Sequence, residues 1–386
     1  MSILTKVYYS LLIDIKRLTG VHLDLPDSFE MSWVLIEGPA LDKQVLQYLE
    51  GTRINDPDFP EWLKPLWEAF RINNNTNGIL KCLRTCLVFG YKAEFEPNEK
   101  QLIEAQSAFE EANLGVKTWS ESFKRDSVPR PTFREARRLV RLVIRRADWY
   151  DLYSCHGPGA VFPSHSPKHK SRFDICSPIV EYYPYDQYFN MIPLLGHTDL
   201  TSQDYLVYDK IVCKLVAVPK DSRGPRLICV HPKEAVWIQQ GQRHILERVI
   251  NHHPLTGGRI NFSDQTVNGK IALSSSKSQE FCTIDLKEAS DRISMQLVEY
   301  LFGYSAKLLS CSRASHVLLL DGRLVDLHMF APMGNALTFP VESLVFWSLV
   351  RAGILSRYGI NCDDIYVFGD DIIVPSRFYD GAIYGL

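Results

Sequence analysis

The sequence predicts an α+β fold: a largely helical N-terminal region, then a small sheet with helices packed on one face. Three observations predict it. Helical spacing dominates up to about residue 150 with no repeats or low-complexity tracts, the residues from 281 onward alternate between periods of two and 3.6, and two Gly-containing turns there join strand-forming runs. At 386 residues with 46% hydrophobic content, the chain can bury a core in two or three domains.

Residues 1–150 read as helices broken at Leu25-Pro26-Asp27-Ser28 and at Asn73 to Gly78. Near the end of this region, Lys124 to Arg146 holds nine basic residues against Asp126 and Glu135. Arg134, Arg138, Arg141 and Arg145 fall at helical spacing, so one face of that helix is strongly positive. A solvated charged face and a polyanion contact both fit this pattern. Residues 151–210 are rich in Tyr, Pro, His and Ser without a clear period; they open with His156-Gly157-Pro158-Gly159-Ala160, a turn that exposes backbone amides.

Two apolar runs, Val216 to Val218 and Leu227-Ile228, flank a turn carrying Lys220, Arg223 and Arg226. Three cations on one turn suit a triphosphate and a departing pyrophosphate, although a solvated basic turn has the same composition. Phe281 to Ile284 follows as a short strand ending at Asp285, and Ile293, Leu297 and Leu301 give a helical stripe with Asp291 at its start. Val317 to Leu320 and Leu324 to Leu327 flank an Asp321-Gly322 turn, which marks a hairpin. Pro340 to about Leu355 reads as an apolar helix with Pro in its first turn, where a missing amide is harmless. The last element is Ile365 to Pro375, two strand-forming runs joined at Gly369-Asp370-Asp371.

The order strand, helix, hairpin, helix, hairpin matches a split βαβ, ferredoxin-like sheet with helices on one face. Such a topology sets the end of the first strand beside the tip of the last hairpin, bringing Asp285 next to Asp370 and Asp371. Adjacent carboxylates repel, and a divalent cation is their usual compensation. Three acids suit two Mg²⁺ ions about 3.5 to 4 Å apart, with Asp285 and Asp370 bridging and Asp371 in support, for transfer of a nucleotidyl group. Mg²⁺, with Mn²⁺ as the substitute, is the cofactor expected. Asp291 can accept from a ribose hydroxyl. Asn335, in Met333-Gly334-Asn335-Ala336-Leu337-Thr338, can donate to or accept from the 2′-OH, which would select ribonucleotides.

Several function classes are disfavoured. No run approaches eighteen uninterrupted apolar residues, and Lys6, Asp14 and Lys16 interrupt the N-terminal segment, so the protein is expected to remain in the cytosol where it is made. The nine cysteines are scattered; only Cys82 and Cys86 are close, and they read as reduced core thiols.

Val218-Pro219-Lys220, Asp264-Gln265-Thr266-Val267-Asn268, Asp285-Leu286 with Ala289-Ser290-Asp291, Met333-Gly334-Asn335, Glu342-Ser343-Leu344 and Gly369-Asp370-Asp371-Ile372-Ile373 occur in one order across residues 218–375. In that ordered set the chain resembles the RNA-directed RNA polymerases of small single-stranded RNA bacteriophages, the replicase catalytic subunits of the Qβ type. The resemblance implies a right-hand polymerase, with residues 1–150 and 151–280 in the fingers and 281–386 forming a palm that holds the acids. It also implies copying of plus and minus phage RNA strands without a primer. The implied partners are template and nascent RNA, ribonucleoside triphosphates, host elongation factors Tu and Ts, and a ribosomal protein, with no membrane, in the cytoplasm of an infected bacterium. Pro340 departs from the family's unbroken helix start. Leu386 lies fifteen positions after Asp371, so the sequence is expected to be partial, with the thumb largely missing. Two alternatives stay open: a reverse transcriptase-like polymerase, and a non-catalytic RNA-binding polymerase fragment.

Overall fold

The structure is a computed structural model and describes residues 3–386 apart from 27–28, 31, 73–75, 91–95, 126–129, 164–169, 171–172, 190–205 and 222–223. The chain forms two compact units, residues 1–105 with 217–226, and residues 106–216 with 227–386.

Four helices build most of the first unit: α1 (Ile3–Thr19), α2 (Gly38–Leu49), α3 (Lys64–Ile72) and α4 (Thr76–Val88). Each contributes an apolar stripe to one core, in which Tyr8, Leu12, Val45, Leu66, Trp67, Leu83 and Cys86 are buried. Cys82 and Cys86 sit one turn apart on α4, both buried and free, as their spacing predicted. Arg84 donates to both oxygens of Asp42 at 2.7 and 2.9 Å, tying α4 to α2.

The second unit begins within α5 (Glu99–Arg125), followed by α6 (Pro131–Ile144), the two-residue strand β1 (Ile175–Cys176), α7 (Ser177–Val180) and α8 (Tyr185–Tyr188). Strand β2 (Val207–Tyr208) pairs in parallel with β1. Strands β3 (Val212–Asp221) and β4 (Gly224–Val230) neighbour each other, and α9 (Lys233–His252) and α10 (Thr266–Ser278) follow. Next come β5 (Phe281–Ile284), a 3-10 turn at Ser290–Arg292, α11 (Met295–Phe302), α12 (Tyr304–Ser310), β6 (His316–Leu318) and β7 (Leu324–Asp326). The chain closes with α13 (Thr338–Tyr358), β8 (Tyr366–Phe368), β9 (Asp371–Pro375) and α14 (Tyr379–Gly385).

After residue 281 the strands, α11 and α13 form where the sequence pattern puts them, α12 and α14 are additional, and the fold is α+β. One placement differs. The β6–β7 hairpin does not join the sheet that carries the acids; β6 pairs in parallel with β3, giving the order β4-β3-β6-β7. The acid-bearing sheet therefore has three strands in the order β5-β9-β8, all antiparallel. Its β8 edge is covered by the chain at Arg259–Asn261, where Val367 N–H donates to the Arg259 carbonyl at 2.8 Å and Asn261 N–H to the Val367 carbonyl at 3.0 Å.

Helix α13 packs against this sheet and also against α6, α9 and α14. Every residue from Pro340 to Ile354 is buried, so the helix is apolar on all sides. By length and composition α13 is apolar enough to cross a membrane, although the sequence contains no uninterrupted run of that kind. It is instead the core helix of its unit, and its buried Arg351 donates to the Cys362 carbonyl and to Asp363, each at 2.6 Å.

Candidate active site

The ladder between β5 and β9 positions the acids. Ile284 pairs with Ile372, so the next antiparallel position sets Asp285 opposite Asp371. On the other side of β9, Phe368 pairs with Asp371, leaving Gly369 and Asp370 as a two-residue turn. Gly369 has φ +65°, the conformation such a hairpin asks of its first turn residue. A Cβ there would stand 2.4 Å from the Phe339 ring, so glycine is required on both counts. The three acids therefore gather at one end of the three-stranded sheet, as the topology predicted. Asp285 and Asp370 are exposed and Asp371 is half-buried.

Residues to which the sequence pattern gives no role hold this turn in place. Gly369 N–H donates to Ser343 Oγ at 3.1 Å, and Ser343 in turn donates to the Phe339 carbonyl at 2.7 Å. Gln265 Nε2 donates to Asp371 Oδ2 at 3.1 Å, while Asn268 Nδ2 donates to the Asp371 carbonyl at 3.3 Å. Glu342, buried on α13 beneath the turn, has its pKa pushed up to about 8, first by burial and then by the charges of Asp370 and Asp291. It is therefore held largely protonated at neutral pH. A run of polar residues in an otherwise apolar helix is the signal that would have pointed to it.

Asp291 and the Asn335 loop do come together. The backbone of Met333 donates to the Asp291 carboxylate, whose pKa is nonetheless pushed up to about 6, chiefly by burial. Asp291 lies in the 3-10 turn before α11, not at that helix's N-terminus; Ser294 is the cap, accepting from Leu297 N–H at 3.0 Å. Gly334 has φ +108°, and a Cβ on it would lie 2.3 Å from the Cys229 carbonyl, which presses the loop onto β4. Asn335 is buried and its Oδ1 accepts from Leu337 N–H at 2.8 Å, closing a local turn ahead of α13. Its amide group is the part of the side chain still available to a ligand. Pro340 is accommodated at the third position of α13.

The remaining predicted contacts divide between the two units. Lys220 and Arg226 are exposed and belong to the first unit, whereas the acids belong to the second; Arg223 lies outside the described residues. The Gly157-Pro158-Gly159 turn presents its carbonyls, not its amides, to a side chain: Lys170 Nζ donates to the oxygens of Gly157 and Gly159 at 3.4 and 2.5 Å. Among the described residues no three or more His, Cys, Asp or Glu side chains converge closely enough to hold a metal ion as they stand. The donor set itself suits a hard cation: carboxylate oxygens at one sheet end, with Asp285 and Asp370 exposed and Asp371 half-buried.

The family model described as RNA replicase, beta-chain, matches residues 191–383, half of this chain. The chain belongs to the RNA replicase beta-chain family. The RNA-directed RNA polymerase subunit beta of Qbeta virus (strain MX1) is 36% identical over 164 residues, 42% of this chain and 27% of that protein. The RNA-directed RNA polymerase beta chain of Escherichia phage MS2 is 34% identical over 165 residues, again 42% of this chain and 28% of that one. The matched stretch thus spans under a third of the length of these relatives. Among solved structures, the Sicinivirus 3Dpol RNA dependent RNA polymerase matches with a TM-score of 0.38 and 13% identity, over 65% of this chain and 60% of that one. The acid-bearing hairpin, the Asp291 turn and the Asn335 loop all lie inside the matched residues.

Proposed function

We propose that this chain carries the catalytic centre of an enzyme that synthesises RNA on an RNA template from ribonucleoside triphosphates, replicating a phage genome in the cytoplasm of an infected bacterium. The β5–β9 register carries the reading, since it sets Asp285 beside the Gly369-Asp370-Asp371 turn. Asp285, Asp370 and Asp371 would hold Mg²⁺, or Mn²⁺ in its place, and when bound the ions activate the 3′-hydroxyl and stabilise the leaving pyrophosphate. Gln265 and Asn268 fix the Asp371 end of the turn, and Ser343 fixes Gly369.

The ribose of the incoming nucleotide would be read by Asp291 as acceptor and by the Asn335 amide as donor. Lys220, Arg223 and Arg226 are assigned to the triphosphate, and Glu342 lies against the Gly369 turn. In the polymerase arrangement residues 1–280 supply fingers and 281–386 the palm. Elongation factors Tu and Ts and a ribosomal protein are the host partners that the family resemblance proposes.

Incorporation of labelled nucleotides on a defined RNA template, with Mg²⁺ supplied, tests the reading. Ribonucleotides should be used in preference to deoxynucleotides, and Asp291→Ala should erode that preference. A preference for deoxynucleotides would move the chain to the reverse transcriptases, and RNA binding without incorporation would leave it a non-catalytic fragment.

A further inference from the structure

We propose that the outer face of α6, with the grooves on either side of its C-terminal half, forms a second binding surface, for single-stranded RNA, apart from the acid-bearing sheet. The inner stripe of α6, Ala136, Leu139, Val140, Val143 and Ile144, is buried, and the helix packs on α11, α13 and α9. Its outer stripe, Arg134, Arg138, Arg141 and Arg145, is exposed. Because α6 lies on α13 and α13 lies on β8, the arginines stand one helical layer beyond the sheet.

Arg138 is balanced by Glu135, with contacts of 2.6 and 2.8 Å. Arg134, Arg141, Arg145 and Arg146 have no carboxylate partner among the described residues. Beside them is an open groove of about 570 Å³. Arg141 and Arg145 line it together with Tyr150 and Tyr304, which are 49% and 67% exposed. Tyrosines that open to water beside arginines offer faces for bases next to charges for phosphates. Arg145 is shared with a second groove of about 400 Å³, where Arg146 meets Arg248 and His252.

Two carboxylates temper the charge: Asp148 lines the first groove, and Asp151 accepts from Arg248 at 3.3 Å. The cations still predominate, and Arg141 is crowded enough by burial and by Arg137 that its pKa is lowered. An acidic polypeptide would use the arginines but leave the tyrosine faces idle. A double helix would likewise keep its bases from them. A single strand uses both, which goes beyond the catalytic reading because it requires no chemistry at the acids.

Fluorescence anisotropy on the 386-residue chain with a short unstructured single-stranded RNA, titrated across salt concentrations, tests this. Arg145→Glu/Arg146→Glu should weaken binding by about tenfold and reduce the salt slope by about 1.4, the share of two phosphate contacts at about 0.7 each. Tyr304→Ala should weaken binding at least about fivefold with the slope unchanged, as stacking alone is lost. Asp370→Asn should change neither quantity, so loss of synthesis in that variant bears only on the catalytic reading. Unchanged affinity and slope in both surface variants, with circular dichroism showing an intact fold, would overturn the proposal. So would equal losses for duplex RNA without any effect of Tyr304→Ala, or loss of binding to polyglutamate with RNA affinity retained.

Discussion

Like charge accumulates twice in the second unit, and the two places manage it in opposite ways. At the end of the β5-β9-β8 sheet, acids are packed close enough for burial and mutual repulsion to hold Glu342 largely neutral and to push Asp291 up to about 6. On the outer face of α6 the arginines are exposed to water, which screens most of their repulsion, and partial burial beside Arg137 only lowers the pKa of Arg141. The acidic end is therefore suited to a compact, divalent counter-charge, and the basic face to an extended polyanion held by many weak contacts. The difference is burial, not the number of charges.

The contrast breaks most visibly at Asp370. Asp370→Asn removes a carboxylate oxygen's charge from the turn while leaving the two-residue hairpin geometry intact. Synthesis should fall by about 10²–10³-fold or more, the scale for losing one preorganised charge stabiliser, with RNA binding nearly unaltered. Incorporation assays beside anisotropy on one preparation check this; substantial residual synthesis would remove Asp370 from the metal-binding role.

A smaller effect should come from the backbone that frames the acidic end. Gly334 and Gly322 both have positive φ, +108° and +86°, but only Gly334 has a neighbour in the way of a Cβ. Gly322→Ala should cost about 1 kcal/mol from backbone strain alone, whereas Gly334→Ala adds a clash with the Cys229 carbonyl and should cost about 3 kcal/mol. Urea denaturation of the two variants measures the gap. Equal values would mean the loop can move off β4.

The acidic end was legible in the sequence because its determinants are local: strand-forming runs, a Gly at the turn and one antiparallel register. The β6–β7 hairpin was legible as a hairpin, but its partner β3 lies a hundred residues earlier in the chain, and pairing at that separation leaves no mark on the local pattern. Asp291 was read as a helix start because the apolar stripe begins at Ile293; the hydroxyl of Ser294 caps the helix later. Glu342, Gln265 and Asn268 went without roles since a polar residue's value there comes from the atoms it faces. Asn335 shows the converse: its side chain was assigned to a ligand, and half of it is spent on its own loop.

Burial also neutralises a cation, which extends the comparison to the opposite sign. His231 is buried, both ring nitrogens lack a partner among the described residues, and burial together with Arg313 pushes its pKa down to about 4. The unfolded chain takes up this proton near pH 6.5 and the folded chain does not, so stability is intact above about 6.5 and declines as pH falls toward 4. The decline attributable to His231 should approach about 3 kcal/mol. His231→Phe should flatten that part of the profile in urea titrations at several pH values; an unchanged slope would mean the ring is protonated in the folded state.

The smallest effect belongs to the exposed face. Arg138 and Glu135 make close, paired contacts one turn apart on α6, yet Arg138 is largely open to solvent. The pair pays for side-chain ordering in a screened environment, so Arg138→Ala should change stability by no more than about 0.5 kcal/mol. RNA affinity should also hold almost constant, because Glu135 already cancels this arginine's charge. A loss as large as that of Arg145→Glu/Arg146→Glu would show that Arg138 leaves Glu135 for the polyanion, and that exposure alone does not decide which cations on this face are free to bind.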